Sequence, residues 1–161
     1  MNEIVMKKSW IFLTLLFAAL AFVGCSDGDD EVVEPQLEVN AHNLSGVWQL
    51  ETWNNGQPLE QGLHLYLELQ RRDNLFRIYD NLDSFQTTLT TGVYYFDTDP
   101  AVGTIIRGVY DYGRGDWNHR YVITSLTASR MVWVATDDAN DVSVYVRTEL
   151  PDEIQALFPA E

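Results

Sequence analysis

Leu63-His64-Leu65-Tyr66-Leu67-Glu68-Leu69-Gln70 puts leucine at every odd position and a polar or amphipathic residue at every even one. Successive side chains of an extended chain point to opposite faces, so a period of two with one apolar face reads as a half-buried β-strand. Arg71-Arg72-Asp73-Asn74 follows as a tight turn into a second run, Leu75 to Tyr79. The same grammar extends in both directions. Upstream, Val47 to Trp53 is a strand ending at the turn formers Asn54-Asn55-Gly56-Gln57-Pro58, with loop on to Gly62. Downstream, Asp80 to Ser84 is loop and Phe85 to Asp97 is strand, broken near Gly92. Asp99-Pro100 with Gly103 closes a hairpin. Thr104 to Tyr112 and Trp117 to Leu126 flank Gly113-Arg114-Gly115-Asp116, and Arg130 to Thr136 and Val142 to Glu149 flank Asp137 to Asp141.

Short β-branched and aromatic runs with turn signals at this spacing predict an all-β fold. Strands joined by short connections predict an eight-stranded antiparallel up-and-down β-barrel, because closing the meander removes its exposed edges. Pro151 to Phe158 predicts a short C-terminal helix, with Pro and acids in the first turn and Ile154, Leu157 and Phe158 on one face.

Gly46-Val47-Trp48 at the opening of the first strand resembles the Gly-x-Trp motif of lipocalins and of the smaller lipocalin-like domains of bacterial surface lipoproteins. Gly92 with Tyr94 and Phe96, and Arg147 in the last strand, are also similar to that bacterial group. The resemblance covers about residues 43–150. It implies a lipocalin-like barrel in which Trp48 closes one end and Arg147 packs over it, with Gly46 completing a structural trio. The other motifs and the disulfide of longer lipocalins are missing.

The N-terminus has a different character. Lys7 and Lys8 precede an uncharged, largely apolar run from Trp10 to Val23. As a helix that run spans about 21 Å, short of the roughly 30 Å hydrocarbon core of a bilayer, so it reads as an export signal. A second methionine, Met6, stands directly before the lysines. Ala21-Phe22-Val23-Gly24-Cys25 resembles the lipobox of bacterial lipoproteins, with Phe22 where Leu is usual. The resemblance implies cleavage between Gly24 and Cys25, a lipid on the Cys25 sulfur and acylation of the new amine. Several acyl chains make a stable membrane anchor where one does not. Ser26-Asp27-Gly28-Asp29-Asp30-Glu31 resembles the surface-export signal of some Gram-negative gut bacteria, although Gly and Asp also make a soluble spacer. Three regions follow: a signal over 1–24, the lipidated Cys25 and an acidic tether over 25–42, and a barrel domain over 43–161. The expected place is the outer membrane, exposed at the surface.

The chain carries a formal charge of −14, and both lysines leave with the signal. Such acidity argues against nucleic acid as a partner. The sole cysteine is Cys25, so no internal disulfide is available.

No catalytic motif is present: there is no Gly-x-Ser-x-Gly, His-Glu-x-x-His or phosphate loop. His42, His64 and His119 lack ligand spacing. Asp97 and Asp99 flank a Pro turn, where Asp is a routine turn former. The chain therefore reads as a non-enzyme with no cofactor or metal beyond its covalent lipid. Asp137, Asp138, Asn140 and Asp141 are dense enough in oxygen to suggest Ca²⁺, but they follow no known loop spacing. Arg114-Gly115-Asp116 spells an adhesion tripeptide whose Gly and Asp the turn already explains.

The strand aromatics carry the functional signal. Trp48, Tyr94, Phe96, Tyr121 and Trp133, facing inward, either line a pocket or fill a lumen just wide enough for side chains. Lining predicts a binder of a small apolar or glycan-like ligand. Filling predicts a subunit of a surface assembly, with Trp53, Tyr95 and Trp117 facing outward. Either way the expectation is a monomer held to the membrane by lipid.

Overall fold

The computed structural model describes residues 33–159; the signal, Gly24 and Cys25 lie outside them. A short helix, α1 (Ala41–Leu44), leads into β1 (Gly46–Trp53), β2 (Gln57–Pro58), β3 (Leu65–Gln70), β4 (Leu75–Asp80) and β5 (Thr88–Asp99). β6 (Gly103–Tyr110), β7 (Tyr121–Leu126), β8 (Arg130–Ala135), β9 (Val142–Thr148) and α2 (Asp152–Leu157) complete the chain. Each long strand pairs antiparallel with the next long strand, and β1 pairs back onto β9, so eight long strands close into a barrel. The two-residue β2 folds back onto the end of β1 through Asn54, Asn55 and Gly56, all at positive φ, the hairpin geometry that Asn and Gly favour.

The alternating leucines behave as their period requires. Leu67 stands opposite Trp48 on one side and Ile78 on the other, and Leu69 stands opposite Phe76, so all share the inward face. Two irregularities keep this phase around the barrel. The β1–β9 register shifts between Leu50 and Thr52, leaving Glu51 outside to meet Arg130 at 3.2 Å, and the β7–β8 register shifts between Ile123 and Ser125.

Strand ends differ from expectation where glycines and loops intervene. β5 starts at Thr88 and leaves Phe85 fully exposed in the preceding loop. It runs unbroken through Gly92, where a Cβ would meet the Phe76 ring at 2.6 Å. Gly92 is thus a close-packing position rather than a break. β7 starts at Tyr121, not Trp117, and only Ile105 and Ile106 pair with it from β6, against Val122 and Tyr121. Beyond them, Trp117 donates its backbone N–H to Gly108 O (2.9 Å), and its indole lies over Gly108, where any Cβ would collide with it. Trp117, expected outside, is folded into the lumen.

The end at which β1 begins is packed shut. Trp48, Phe76, Tyr94, Ile106, Met131 and Leu44 are fully buried. Asn40 caps α1 by accepting from Asn43 N–H (3.0 Å), and the Trp48 indole donates to Leu44 O (2.8 Å). The Arg147 guanidinium lies 4.0 Å over the Trp48 ring and donates to Ala128 O (2.7 Å), Ser45 O (2.7 Å) and Asn43 O (2.8 Å). Gly46, at φ +130, leaves the guanidinium its room: a Cβ there would stand 2.5 Å from an Arg147 nitrogen.

The segment expected as tether up to residue 42 is, from Glu34 onward, fastened to this same end, and the compact unit begins there. The Glu34 carboxylate accepts from Ser129 N–H (3.0 Å) and Oγ–H (2.8 Å), Leu37 N–H donates to Leu126 O (2.8 Å), and Gln36 accepts from Leu126 N–H (3.1 Å). The β7–β8 hairpin has spare backbone groups, and the Glu34 and Gln36 side chains and the Leu37 N–H satisfy them. Leu37 and Val39 pack on the core. At the other terminus α2 forms as expected; Ile154 is buried and Phe158 meets the Tyr79 ring at 5.8 Å, while Leu157 faces solvent.

Candidate functional site

Because β1 runs away from the packed end, the opposite end carries the loops 54–64, 81–87, 111–120 and 136–141. Here the lumen is hollow. An inner pocket of about 160 Å³ is walled by Leu65, Leu67, Ile78, Tyr110, Trp117 and Trp133, among others. It shares Leu65, Ile78, Tyr110, Tyr121 and Tyr145 with a wider mouth of about 810 Å³. The mouth adds Trp53, Asp80, Asp83, Thr90, Arg114 and Asp141.

The inner wall is a continuous set of rings. Trp133 is 5.9 Å from Trp117, 5.6 Å from Tyr121 and 5.2 Å from Tyr145, centroid to centroid, and Phe76 backs Trp117 at 5.1 Å. Burial pushes the phenols of Tyr110, Tyr121 and Tyr145 above their ordinary range, and nearby Asp141 adds to this at Tyr121 and Tyr145, so all three are neutral at physiological pH. The Trp133 indole donates to Met131 Sδ (3.2 Å). The Trp117 indole N–H is buried with no acceptor, the only such side-chain atom among the described residues. A buried donor without a partner costs about 1–3 kcal/mol. The ring stands on the cavity wall, with its nitrogen edge turned against Gly108.

The rim is polar. Asp80 sits opposite Leu65 and Thr88 in the inward phase of β4; it accepts from Leu82 N–H (3.2 Å), and burial raises its carboxyl above the usual range. Asp141 accepts from the Tyr121 hydroxyl (3.4 Å). Arg114 lies 5.5 Å over the Tyr110 ring and reaches Thr90 Oγ1 at 3.4 Å. His119 Nδ1 pairs with Asp137 at 2.8 Å, which raises the imidazole above 6.5 and lowers the carboxyl below 3.8. Asp138 caps its own turn by accepting from Asn140 N–H (2.9 Å). Among the described residues, no group of three or more His, Asp or Glu converges as metal ligands would.

Of the rings picked from sequence as lining, Tyr121 and Trp133 stand on the cavity wall. Trp48, Tyr94 and Phe96 do not. Trp48 and Tyr94 are fully buried in the packed end, where the Tyr94 hydroxyl donates to Gln70 O (3.1 Å) and Phe96 meets the Tyr94 ring edge-on at 5.5 Å. Tyr110, Trp117 and Tyr145 were missed. Tyr110 and Tyr145 follow from strand phase once the registers Tyr110↔Gly92 and Tyr145↔Leu50 are known. Of the rings expected outside, Tyr95 is there, under Arg107 at 4.7 Å, while Trp53 edges the mouth. A second hollow of about 540 Å³ lies on the outer wall beside α2, lined by Glu68, Arg77, Tyr79, Gln155 and Phe158.

An antiparallel barrel plugged at one end and hollow with aromatic walls at the other defines a class: closed up-and-down β-barrels of eight long strands. One solved structure agrees on the fold. A protein from Bacteroides uniformis ATCC 8492, solved by NMR, matches with a TM-score of 0.50 at 18% identity, over 68% of this chain and 92% of its own. A crystal structure described as a lipocalin-like protein from the same organism matches at 16% identity with a TM-score of 0.48, over 66% of this chain and 99% of its own. No family model and no curated protein matches the chain.

Proposed function

We propose that this protein is a lipid-anchored envelope protein whose barrel holds a small, largely apolar ligand in its open end. The observation that carries the reading is the aromatic hollow. An inner pocket of about 160 Å³ is the size that admits one six-membered ring, and the mouth beyond it lies within the roughly 300–1,000 Å³ of ordinary ligand sites. The ligand places a flat apolar part against Trp117, Trp133 and Tyr145 and a polar part at the rim. The role is binding without turnover, with His119 held by Asp137 at the rim. The alternative, a subunit of a surface assembly with a packed interior, requires a filled lumen, and here only one end is filled.

Titration with a neutral, polarity-sensitive dye such as N-phenyl-1-naphthylamine tests this. We expect one saturable site per chain, quenching of tryptophan emission, and loss of binding in Leu65→Trp, which fills the mouth of the inner pocket. Undiminished dye binding in a folded Leu65→Trp would overturn the cavity as the site. The anchor rests on Gly24-Cys25 and is tested apart, by mass spectrometry of the mature N-terminus: a diacylglyceryl and acyl mass on Cys25 is expected, and a free thiol would remove the anchor.

A further inference from the structure

We propose that the ligand's polar end is a positive charge: the site takes an organic cation, an ammonium or amidinium group carried on a flat apolar body. This rests on the cavity being a ligand site and adds the chemistry at its mouth. Three carboxylates, Asp80, Asp83 and Asp141, line the mouth against the single guanidinium of Arg114. Arg114 is exposed and already lies over the Tyr110 ring with Thr90 in reach. His119, the remaining basic group there, is engaged by Asp137.

Asp80 is the informative member. It faces inward, half-buried, and makes no ion pair among the described residues. A hydrogen bond from Leu82 N–H occupies Oδ1 and leaves Oδ2 for another donor. Burial and the neighbouring Asp83 outweigh the help that His64 gives this carboxylate, as its raised pKa reflects, and a cation in the mouth relieves that cost. Below it the walls include the rings of Tyr110, Tyr121, Tyr145, Trp117 and Trp133, all uncharged at neutral pH. Aromatic faces are electron-rich and attract cations, most strongly where water is excluded. An anion would meet those same faces and three carboxylates. The chain's charge of −14 adds a field that draws cations towards it.

The experiment compares three naphthalenes of one shape, naphthylmethylammonium, naphthylmethanol and naphthoate, by calorimetry on the whole protein at about 20 and about 300 mM salt, a span over which exposed charges become screened. The ammonium is expected to bind at least about tenfold tighter than the alcohol at low salt, with naphthoate weakest, and raising the salt should narrow the gap. In Asp80→Asn the ammonium-to-alcohol ratio should fall to within about twofold of one. Asp141→Asn serves the same comparison if Asp80→Asn does not fold. Naphthoate binding as tightly as the ammonium, or an unchanged ratio in the folded Asn variants, overturns the cation while leaving the ligand site standing. If none of the three binds, both readings fall.

Discussion

The two ends of this barrel are built from the same strands and do opposite things with their polar groups. At the packed end each is matched: the Trp48 indole donates to Leu44 O, and Arg147 spreads its guanidinium over three backbone carbonyls while covering the Trp48 ring. At the hollow end the Trp117 indole N–H is buried with no acceptor, and Asp80 turns a carboxylate inward with no ion pair among the described residues. One end has the marks of a structure optimised to stay closed. The other keeps unsatisfied groups of the kind that binding sites retain at some cost in stability.

The sharpest way to break this contrast is the same substitution at both ends. Trp48→Phe removes the bond to Leu44 and leaves a gap under Arg147; it should lower the unfolding free energy by about 2–4 kcal/mol in urea melts. Gly108→Ala should cost about 1–3 kcal/mol, since the new methyl must displace the Trp117 indole, and its distinguishing readout is reduced dye binding. Trp117→Phe should change stability by less than about 1 kcal/mol, because the lost donor was unpaired. A Trp117→Phe cost equal to that of Trp48→Phe would erase the distinction between the ends. Asp80→Asn should stabilise the free protein slightly at pH 7, by under about 1 kcal/mol given its partial exposure. The sign follows from the raised carboxyl: its ionised form is disfavoured by folding, so the gain should disappear as pH falls through its pKa.

The smallest effect sits at the rim. His119 is raised and Asp137 lowered, so their pairing stabilises the 136–141 loop below the imidazole's ordinary 6.5 and above the carboxyl's ordinary 3.8. It fades as pH rises through the folded His119 pKa or falls through that of Asp137. In an NMR titration, Asp137→Asn should move the His119 midpoint down towards 6.5. An unmoved midpoint would dissolve the pair.

How legible each end was in the sequence follows the same division. The leucine alternation of β3 and the turn residues between strands announced the barrel, since strand phase is a local property. Gly46, Trp48 and Arg147 announced the plug through their resemblance to the lipocalin motif, and the positive-φ glycine and stacked guanidinium show why those residue types are needed there. The hollow was harder to see. Whether a ring fills or lines a lumen depends on which level of the barrel it occupies, and that is set by register across strands far apart in sequence. Tyr94 and Tyr121 read alike as strand tyrosines, yet one is sealed below and the other stands at the mouth. Trp117 was misplaced because its position depends on Gly108, a residue whose meaning is the absence of a side chain. The docking of Glu34 and Gln36 was hidden inside an acidic stretch that read as spacer.

The central claim is that one end is solid and the other is a site. Indole N–H resonances report on both ends in a single ¹H–¹⁵N spectrum, recorded while naphthylmethylammonium is added. The Trp117 and Trp133 indole signals should shift and saturate together, while the Trp48 signal stays in place and exchanges slowly with D₂O. A bound ligand that moves Trp48 as much as Trp117, or leaves Trp117 unmoved, would contradict the account.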